Sequence, residues 1–411
     1  MSAIAFELPG EVESARDGIV AFAKREVIPR HELNKAFFED PRKLYREDGA
    51  LSDEAVGLIR EVRTASAKSG FYHMCVPEAL GGGGQGHLAY YVAWEALFHL
   101  CGPQNWLMLH ALSHWAFGPS RLLEKMTPEA QSRILPSLMD GSKSMCFAMT
   151  EPSAGSDLSM IRTRAERHGD GWRITGRKIF ISNAPIADYS VVFAVTDPEL
   201  AQARRGGISL FIMPTHAPGF SVEQIIRLFG HVGGDEAELA LEDVYVEPWQ
   251  LIGELNDGFA TALYGVSLGR IYNSARAVGY GRWAIEKALE YAKVREAFGS
   301  TISQFQGITF PLAESASELH AAHLMGLNAA TLIDQGQPAI KELSMTKAYS
   351  VQAGYRAVDR AMQTHGAMGL SSELGLTEAW HALRIINIAD GTNEILNRTI
   401  LGRLLKGDTD L

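Results

Sequence analysis

The spacing of apolar residues changes twice along the chain, and these changes restrict the fold more than any single motif. Up to about residue 143, apolar residues recur every three or four positions, as in EVESARDGIVAFAKREV, which predicts amphipathic helices. From about residue 145 to 250, β-branched and aromatic runs such as YSVVFAVTD are bounded by Gly, Pro and Asp, which is typical of strands. Long Ala-rich helical patterns then return up to about residue 405. An α + β fold is therefore predicted.

The same changes divide the chain into three predicted domains. We assign residues 1–143 to an N-terminal helical domain, 144–252 to a middle β-barrel or sandwich domain, and 253–411 to a C-terminal four-helix bundle. A chain of 411 residues is too long for one ordinary core, which agrees with this division. Within the first domain, NWLMLHALSHWAF (105–117) predicts a further amphipathic helix.

Composition excludes several classes of protein. The net charge of −10 argues against a general nucleic-acid binder, although a few placed arginines suffice to bind phosphate in a small ligand. The three cysteines are far apart, so neither a disulfide framework nor a metal site is expected, and a reducing compartment is indicated. The first residues show no signal or transit peptide, and no run of about 18 apolar residues occurs. We therefore expect a cytoplasmic protein that does not span a membrane.

The segment GGGGQG, residues 81–86, formally fits the dinucleotide-binding pattern G-x-G-x-x-G. That pattern requires a preceding strand within a βαβ unit, whereas here Pro77 and helical patterns surround it. We therefore predict a flexible loop between two helices and no nucleotide site.

Two short segments allow both a structural and a chemical interpretation. In CFAMTEPSAGSDLSM (146–160), a strand-like run enters a loop of small residues, which either turns the chain or lets a ligand approach the backbone. In IADGTNEIL (388–396), Asp390 either caps the last helix with its carboxylate or acts as a catalytic group. Each segment alone leaves both interpretations open.

Five segments in register resemble the signatures of the acyl-CoA dehydrogenase family. They are TEPSAGSD (150–157), KIFISN (178–183), VREAFG with the following Gln304-Phe305-Gln306, AMQTHGAMG (361–369) and IADGTNEIL. Their order and spacing match the family over nearly the whole chain, as does the α-β-α plan. The resemblance implies FAD as cofactor, α,β-dehydrogenation of an acyl-CoA thioester, and transfer of the electrons to an electron-transfer flavoprotein.

The resemblance also assigns flavin contacts residue by residue. In the middle domain they are Phe147, Met149, Thr150, Gly155, Ser156, Phe180, Ile181 and Ser182, with Phe180 in place of a frequent Trp. In the C-terminal domain they are Arg295, Phe298, Gln306, Gln363, Gly366, Ala367, Thr392 and Glu394. Arg295 also has a physical case, because a guanidinium pairs well with diphosphate. Since a neighbouring subunit supplies several of these contacts in the family, a homotetramer (a dimer of dimers) is implied.

Substrate contacts are assigned by the same resemblance to Ser156, Arg270, Ala389 and Gly391. Some family members carry their catalytic base just before this arginine, but Gly269 has no side chain to serve as one. Asp390, at the position of the family's usual catalytic Glu, is therefore the expected base. The resemblance implies that a carboxylate takes the α-proton, that the β-hydrogen leaves as hydride to flavin N5, and that the backbone N–H of the base residue polarises the thioester carbonyl.

Asp390 departs from the family's usual glutamate. Aspartate is one methylene shorter, roughly 1.5 Å of reach, and a misplacement of about 1 Å can cost on the order of a hundredfold in rate. The aspartate occurs together with Gly-Arg-Ile at 269–271, His381-Ala382 and Arg398. This set resembles the branch that contains acyl-CoA dehydrogenase family members ten and eleven. We therefore expect the substrate or the backbone to lie closer to the base.

The substrate is less determined than the chemistry. Trp106, His110, His114 and Trp115 lie on the predicted helix 105–117, which is expected to wall the acyl pocket. Aromatics at helical spacing more often pack in a core; facing the pocket, they would favour a branched, hydroxylated or ring-bearing acyl group. Two other functions stay open: a flavin oxidase or monooxygenase of the same fold acting on a non-CoA molecule, and a non-catalytic acyl-CoA-binding paralogue.

Overall fold

The computed structural model describes residues 7–410, except for the side chains at positions 263, 264 and 266. The first six residues, part of the stretch in which no targeting signal is predicted, lie outside the described residues. Contacts divide the chain into two compact units. The helical unit comprises the chain up to residue 28, residues 85–108 and residues 267–411, and the sheet unit comprises residues 29–84 and 109–266. No described helix is long and apolar enough to cross a bilayer.

The long helices lie in both outer thirds of the chain, as predicted, and short helices lie between them and in the middle segment. In chain order they are α1 (Gly10–Phe22), α2 (Ile28–Leu33), α3 (Lys35–Phe38), α4 (Pro41–Leu44), α5 (Asp53–Lys68), α6 (His87–Cys101), α7 (Pro128–Met139), α8 (Pro198–Gln202), α9 (Gly258–Val294), α10 (Gln306–Asp334), α11 (Ile340–His365), α12 (Leu376–Ile386) and α13 (Asn393–Leu404). A π-helical turn, Ala23–Val27, joins α1 to α2.

The strands of the middle segment form one eight-stranded sheet, and a small hairpin lies further along the chain. The strands are β1 (Met145–Ala148), β2 (Arg164–His168), β3 (Gly171–Ser182), β4 (Tyr189–Val195), β5 (Ile208–Pro214), β6 (Phe220–Ile225), β7 (Glu236–Val246), β8 (Leu251–Ile252), and the hairpin strands β9 (Glu296–Ala297) and β10 (Ser300–Thr301). The sheet order is β6-β7-β3-β2-β4-β5-β8, and β1 pairs in parallel with β4.

Strand β4 shows how the sheet unit is filled. Its side chains alternate between two apolar clusters: Val191 and Phe193 pack on one face, and Val192 and Ala194 on the other. The first face is covered by helical residues, among them Ile134 of α7. A strand buried on both faces explains why its sequence is a continuous apolar run.

The helical unit is held together by close helix packing. Residues of α9, α10 and α11, including Val278, Leu319 and Ala353, form a shared apolar cluster. A Cβ added to Gly354 on α11 would lie 2.4 Å from the Ala277 carbonyl oxygen on α9, so this crossing requires glycine. The α + β fold class with helical, β and helical segments is confirmed.

A side chain from α10 caps the start of α6 from 247 residues away. The Asp334 carboxylate accepts hydrogen bonds from the backbone N–H groups of His87 (2.7 Å) and Leu88 (2.9 Å). Gly86, at the N-cap position itself, has no side chain to make these bonds. The cap therefore ties two helices of the unit together.

One local prediction is wrong, and a second, that of a flexible glycine loop, is confirmed for the loop but not for its flexibility. Segment 105–117 contains only the short 3₁₀ helix Trp106–His110 followed by turns, so the predicted amphipathic helix is wrong. The GGGGQG segment is an inter-helix loop, as predicted. It is also closely packed, because a Cβ on Gly82 would lie 2.1 Å from the Val76 carbonyl oxygen. The glycines of this loop permit a close approach of backbone to backbone.

Candidate functional site

The loop between α12 and α13 decides between the two interpretations of Asp390. Helix α13 begins at Asn393, and its N-cap is Thr392, whose hydroxyl oxygen accepts from the Ile395 N–H at 3.3 Å. Asp390 lies two residues earlier in a left-handed conformation, with φ of 55°. The capping interpretation of Asp390 is therefore wrong, and its carboxylate is available for another role.

The Asp390 carboxylate lies within the helical unit among polar groups from two other helices. The side-chain amide of Asn273, on α9, donates to Asp390 Oδ2 at 2.7 Å. Burial raises the pKa of Asp390 above its ordinary value, while the charge of Lys347, the Asn273 hydrogen bond and the charge of Arg270 act in the opposite direction. A carboxylate with a raised pKa, facing cations, has the properties of a general base.

Lys347 holds the backbone on both sides of Asp390. Its ammonium group, on α11, donates to the carbonyl oxygens of Ala389 at 3.0 Å and Gly391 at 2.8 Å, and its side chain is fully buried. Burial lowers the pKa of Lys347 to about 8, and the nearby Asp390 carboxylate opposes this shift. The lysine is therefore charged at neutral pH, and its bonds to the loop are charge-assisted.

Arg270 lies on α9 one turn before Asn273 and is only partly satisfied. Its Nη1 donates to the Ser344 hydroxyl at 3.3 Å, and its buried Nε has no hydrogen-bond partner among residues 7–410. Burial lowers the pKa of Arg270, and the Asp390 carboxylate opposes this shift. A buried guanidinium with a spare donor is suited to bind a polar ligand atom.

In the sheet unit, two of the segments expected to contact flavin lie side by side. The backbone N–H of Ile179 donates to the Thr150 carbonyl at 3.0 Å, and the Asn183 amide donates to the Met145 carbonyl at 2.7 Å. These bonds join the end of β1, which carries Phe147 and leads to Met149 and Thr150, to β3, which carries Phe180, Ile181 and Ser182.

Phe180 is turned out of the sheet by a β-bulge. Its φ of 56° is left-handed, the β3–β7 register shifts between Lys178 and Ile181, and 52% of its side-chain surface is exposed. Ile181, by contrast, is only 2% exposed as a whole residue and belongs to the apolar core of the sheet, so the single chain does not present it to a ligand. The bulge therefore exposes the aromatic ring of Phe180, whose direction in a regular strand would be set by the alternation of side chains between the two faces of the sheet.

A buried ion pair, Glu151–Lys178, supports both of these segments. Lys178 Nζ lies 2.8 Å from Glu151 Oε1 and 3.3 Å from the Met149 carbonyl oxygen. Glu151 also accepts from the backbone N–H groups of Arg162 at 2.6 Å and Thr163 at 3.0 Å. Burial lowers the pKa of Lys178 to about 8. Burial acts to raise the pKa of Glu151, but the charge and hydrogen bond of Lys178 together with the hydrogen bonds from Thr163 and Arg162 leave that pKa below its ordinary value.

The expected FAD contacts beyond β1 and β3 are exposed side chains or open backbone. Gly155 and Ser156 are exposed, and a Cβ on Gly155 would meet no atom within 4 Å. In the helical unit, Phe298 at the β9–β10 hairpin is 98% exposed with a left-handed φ of 52°. Further exposed residues of that unit are Arg295, Gln306, Gln363, Gly366, Ala367 and Glu394, while Thr392 is partly buried. A guanidinium, amides and an exposed aromatic ring fit the phosphates and rings of a dinucleotide.

The aromatic residues proposed to wall the acyl pocket are divided between the two units. Trp106 belongs to the helical unit, and the other three belong to the sheet unit. Trp115 is 4% exposed, and its ring lies 4.9 Å from that of Phe147. His114 stacks on Phe117 at 4.2 Å, and burial lowers the pKa of His110 to about 3, so His110 is neutral. Core packing therefore accounts for Trp115.

Comparison with known proteins agrees with this arrangement along the whole chain. The N-terminal, middle and C-terminal domain models of acyl-CoA dehydrogenase match residues 10–142, 146–244 and 256–405. The chain therefore belongs to the acyl-CoA dehydrogenase family. As a member of that family it is an oxidoreductase with FAD as its cofactor, and its chemistry is dehydrogenation of the acyl-CoA dehydrogenase type.

Individual relatives differ in what their names describe. The CarC subunit of the caffeyl-CoA reductase–Etf complex of Acetobacterium woodii is 34% identical over 86% of this chain and 92% of its own. The human mitochondrial short-chain specific acyl-CoA dehydrogenase is 35% identical over 82% of this chain and 80% of its own. The solved structure of PigA with FAD and proline matches with a TM-score of 0.84 at 27% identity, covering 98% of this chain and 99% of PigA.

Sequence reasoning missed four residues, two around Asp390 in the helical unit and two beside β1 and β3 in the sheet unit: Asn273, Lys347, Glu151 and Lys178. A signal existed for Asn273, because positions three apart on a helix share a face and Arg270 was already a candidate. Lys347 lies on the Ala-rich pattern of α11, where a lysine at a buried position indicates an internal charge with a partner. Glu151 and Lys178 lie inside two recognised signatures, but their pairing is a tertiary contact.

Proposed function

We propose that the protein catalyses α,β-dehydrogenation of an acyl-CoA thioester with Asp390 as the base that removes the α-proton. The observation that carries this proposal is the Asp390 carboxylate itself. It is free of any capping role, has a raised pKa, and is hydrogen-bonded by Asn273 beside Arg270 and Lys347. The resemblance to the branch with Asp at the base position, which contains family members ten and eleven, belongs to this proposal.

Each group around Asp390 has a role in such a reaction. FAD, when bound, supplies the hydride acceptor for the β-hydrogen. Asp390 takes the α-proton, and its own backbone N–H, which donates to no acceptor among residues 7–410, is available to the thioester carbonyl oxygen. Arg270 Nε is a second spare donor, available to a polar atom of the substrate. Lys347 keeps the backbone of the loop in place during proton transfer.

The cofactor and partner assignments extend the same proposal. The exposed groups described above, from Phe180 to Arg295 and Gln363, are proposed to hold FAD, with some of them acting on the cofactor of a neighbouring subunit. Several apolar side chains of the helical unit support an assembly, since they are largely exposed in the single chain: Phe298 98%, Leu405 79%, Val294 74% and Leu370 71%. We propose that the protein is a homotetramer. We also propose that it passes electrons to an electron-transfer flavoprotein, a partner suggested by the name of the caffeyl-CoA reductase–Etf complex to which CarC belongs. In light scattering it should weigh four times the chain mass of 44.9 kDa.

PigA, solved with FAD and proline, favours one alternative: flavin-dependent oxidation of a molecule that is not a CoA ester. Arg270 does not decide between these substrates, because a spare guanidinium donor binds either class. Consumption of oxygen during turnover, with no response to CoA esters, would identify this alternative.

The test is anaerobic mixing of the FAD-loaded protein with a panel of acyl-CoA esters. The panel holds short, branched, cyclic, hydroxylated and aryl-substituted acyl groups, and the loss of oxidised-flavin absorbance is followed near 450 nm (the cofactor's own band, given roughly). The Asp390→Asn variant is run beside the wild type. We expect one class of ester to bleach the flavin, and the variant to bleach at least about a hundredfold more slowly.

The pH dependence gives a second check. Asp390 must be ionised to accept a proton, and burial raises its pKa above the ordinary 3.8. The bleaching rate should therefore fall on acidification at a pH above 3.8. Bleaching that survives in Asp390→Asn would exclude this residue as the base, and an entirely inactive panel would exclude the proposed substrate class.

A further inference from the structure

Asn273 is a buried residue of α9 whose amide reaches the Asp390 carboxylate. It lies three residues after Arg270, on the same helix face, and is 2% exposed. Its Nδ2 donates to Asp390 Oδ2 at 2.7 Å. Among the described side chains, which exclude those at 263, 264 and 266, this is the one hydrogen bond to the Asp390 carboxylate, and none of them donates to the other oxygen, Oδ1.

The backbone of the same residue is fixed independently. Asp390 and Gly391 have φ of 55° and 95°, so the chain makes a left-handed turn at the base. Lys347 bonds the carbonyl oxygens immediately before and after Asp390. The backbone is thus held from α11 and the carboxylate from α9, and with both fixed the direction of Oδ1 is fixed as well.

We propose that Asn273 is a positioning residue that holds Oδ2 of Asp390 and thereby directs Oδ1 at the α-proton of the substrate; this inference rests on the proposed function. In the reaction the α-C–H bond breaks and an O–H bond forms at Oδ1. The C–H electron pair enters the new Cα=Cβ bond as the β-hydride leaves for oxidised FAD. The Asn273–Oδ2 bond persists throughout.

The hydrogen bond from Asn273 matters because the side chain of Asp390 is short. An aspartate has one fewer torsion than a glutamate with which to correct its aim, so an error in the direction of the carboxylate is passed directly to the reacting oxygen. The amide also favours the ionised carboxylate, as any donor does. The charged groups that act on Asp390 from the packed helices are Arg270 on α9 and Lys347 on α11, and neither is altered when Asn273 is replaced.

The experiment uses the FAD-loaded protein with two replacements of Asn273 and a matched control. Asn273→Leu keeps the branched shape and removes the donor, and Asn273→Ala provides a second variant without added bulk. The control is Ser274→Ala, the next buried residue on α9, whose hydroxyl bonds only to the Arg270 carbonyl within the helix at 2.8 Å. Flavin reduction at saturating concentration and its pH profile are measured with the acyl-CoA ester that bleaches the wild type fastest.

We expect both Asn273 variants to reduce flavin about 10- to 100-fold more slowly, with the acid limb moved to higher pH and the dissociation constant of the ester changed less than about threefold. Ser274→Ala should stay within about twofold of the wild type. Rates within about twofold in the Asn273 variants while Asp390→Asn is inactive would overturn the positioning role and leave the base intact. An equal loss in Ser274→Ala, or an unmoved acid limb, would also overturn it. Retained activity in Asp390→Asn would remove the proposed function and this inference together.

Discussion

Breaking the Glu151–Lys178 pair should destabilise the sheet unit far more than breaking an exposed pair on the same strand. In Lys178→Met the Glu151 carboxylate keeps its two backbone donors but loses its counter-ion in a site where Glu151 is 5% exposed. Removing one partner of a buried pair costs about 3–5 kcal/mol. Arg177→Met is the control, since the Arg177 guanidinium is half-exposed and lies 3.5 Å and 3.9 Å from two glutamates. Exposed pairs of that kind contribute about 0–1 kcal/mol.

A double-mutant cycle separates the pair from the rest of the site. Glu151→Gln leaves a buried ammonium with neutral acceptors, such as the Met149 carbonyl, and no counter-charge, so it should also be costly. The double variant Lys178→Met/Glu151→Gln buries no charge, and it should cost about 1–3 kcal/mol less than the sum of the two single changes. Urea unfolding of the FAD-loaded protein, followed by circular dichroism and by flavin release, measures all four proteins and the control.

The same pair has a signature in pH. The pKa of Lys178 in the folded protein is about 8, against roughly 10.4 in an unfolded chain. Between these values the unfolded chain binds more protons, so this residue makes the free energy of unfolding rise with pH. That contribution should be missing in Lys178→Met. The reasoning is refuted if Lys178→Met costs no more than Arg177→Met, or if the two single costs simply add.

Three further variants test the packing and the exposed ring. Gly354→Ala places a Cβ 2.4 Å from the Ala277 carbonyl oxygen, so α9 and α11 must separate; a loss of about 1–3 kcal/mol is expected in urea unfolding, and an unchanged midpoint would contradict this crossing. Asp334→Ala removes the acceptor for two backbone N–H groups of α6 and should lower the free energy of unfolding by about 1–2 kcal/mol. The free energy of unfolding of Asp334→Asn should lie between those of Asp334→Ala and the wild type. Phe298→Ser changes a side chain that is 98% exposed, so the single chain should keep its stability while FAD retention and the assembled mass fall; a ring that packs only within its own chain would give the opposite result.

Periodicity predicted α10 and α11 because each buries residues at three- and four-residue spacing, whereas β4 was recognisable as a continuous apolar run because both of its faces are buried. Periodicity failed at 105–117, where Leu107, Met108 and Ala111 are buried by the surrounding chain without forming a regular helix. Burial alone produces apolar residues at three- and four-residue spacing, so that pattern does not prove a helix in a short segment.

The candidate base could be located from the sequence, but its surroundings could not. Asp390 lies in a recognisable segment, whereas Asn273 is 117 residues away and Lys347 is 42 residues from the Ala389 carbonyl that it holds. The residues next to Asp390 in the sequence do not indicate which distant side chain forms a hydrogen bond with it. The local sequence also could not decide whether Asp390 caps the helix, because Asp390 and Thr392 are both suitable N-cap residues. Only the backbone shows that Thr392 is the N-cap of α13.

Because Thr392 begins α13, position 390 carries no architectural duty toward the last helix. A substitution at 390 therefore leaves the start of α13 intact. Its cost falls instead on the two buried cations that face the carboxylate, Lys347 and Arg270. The loop thus separates the residue that starts a helix from the residue that balances buried charge, although they are two positions apart.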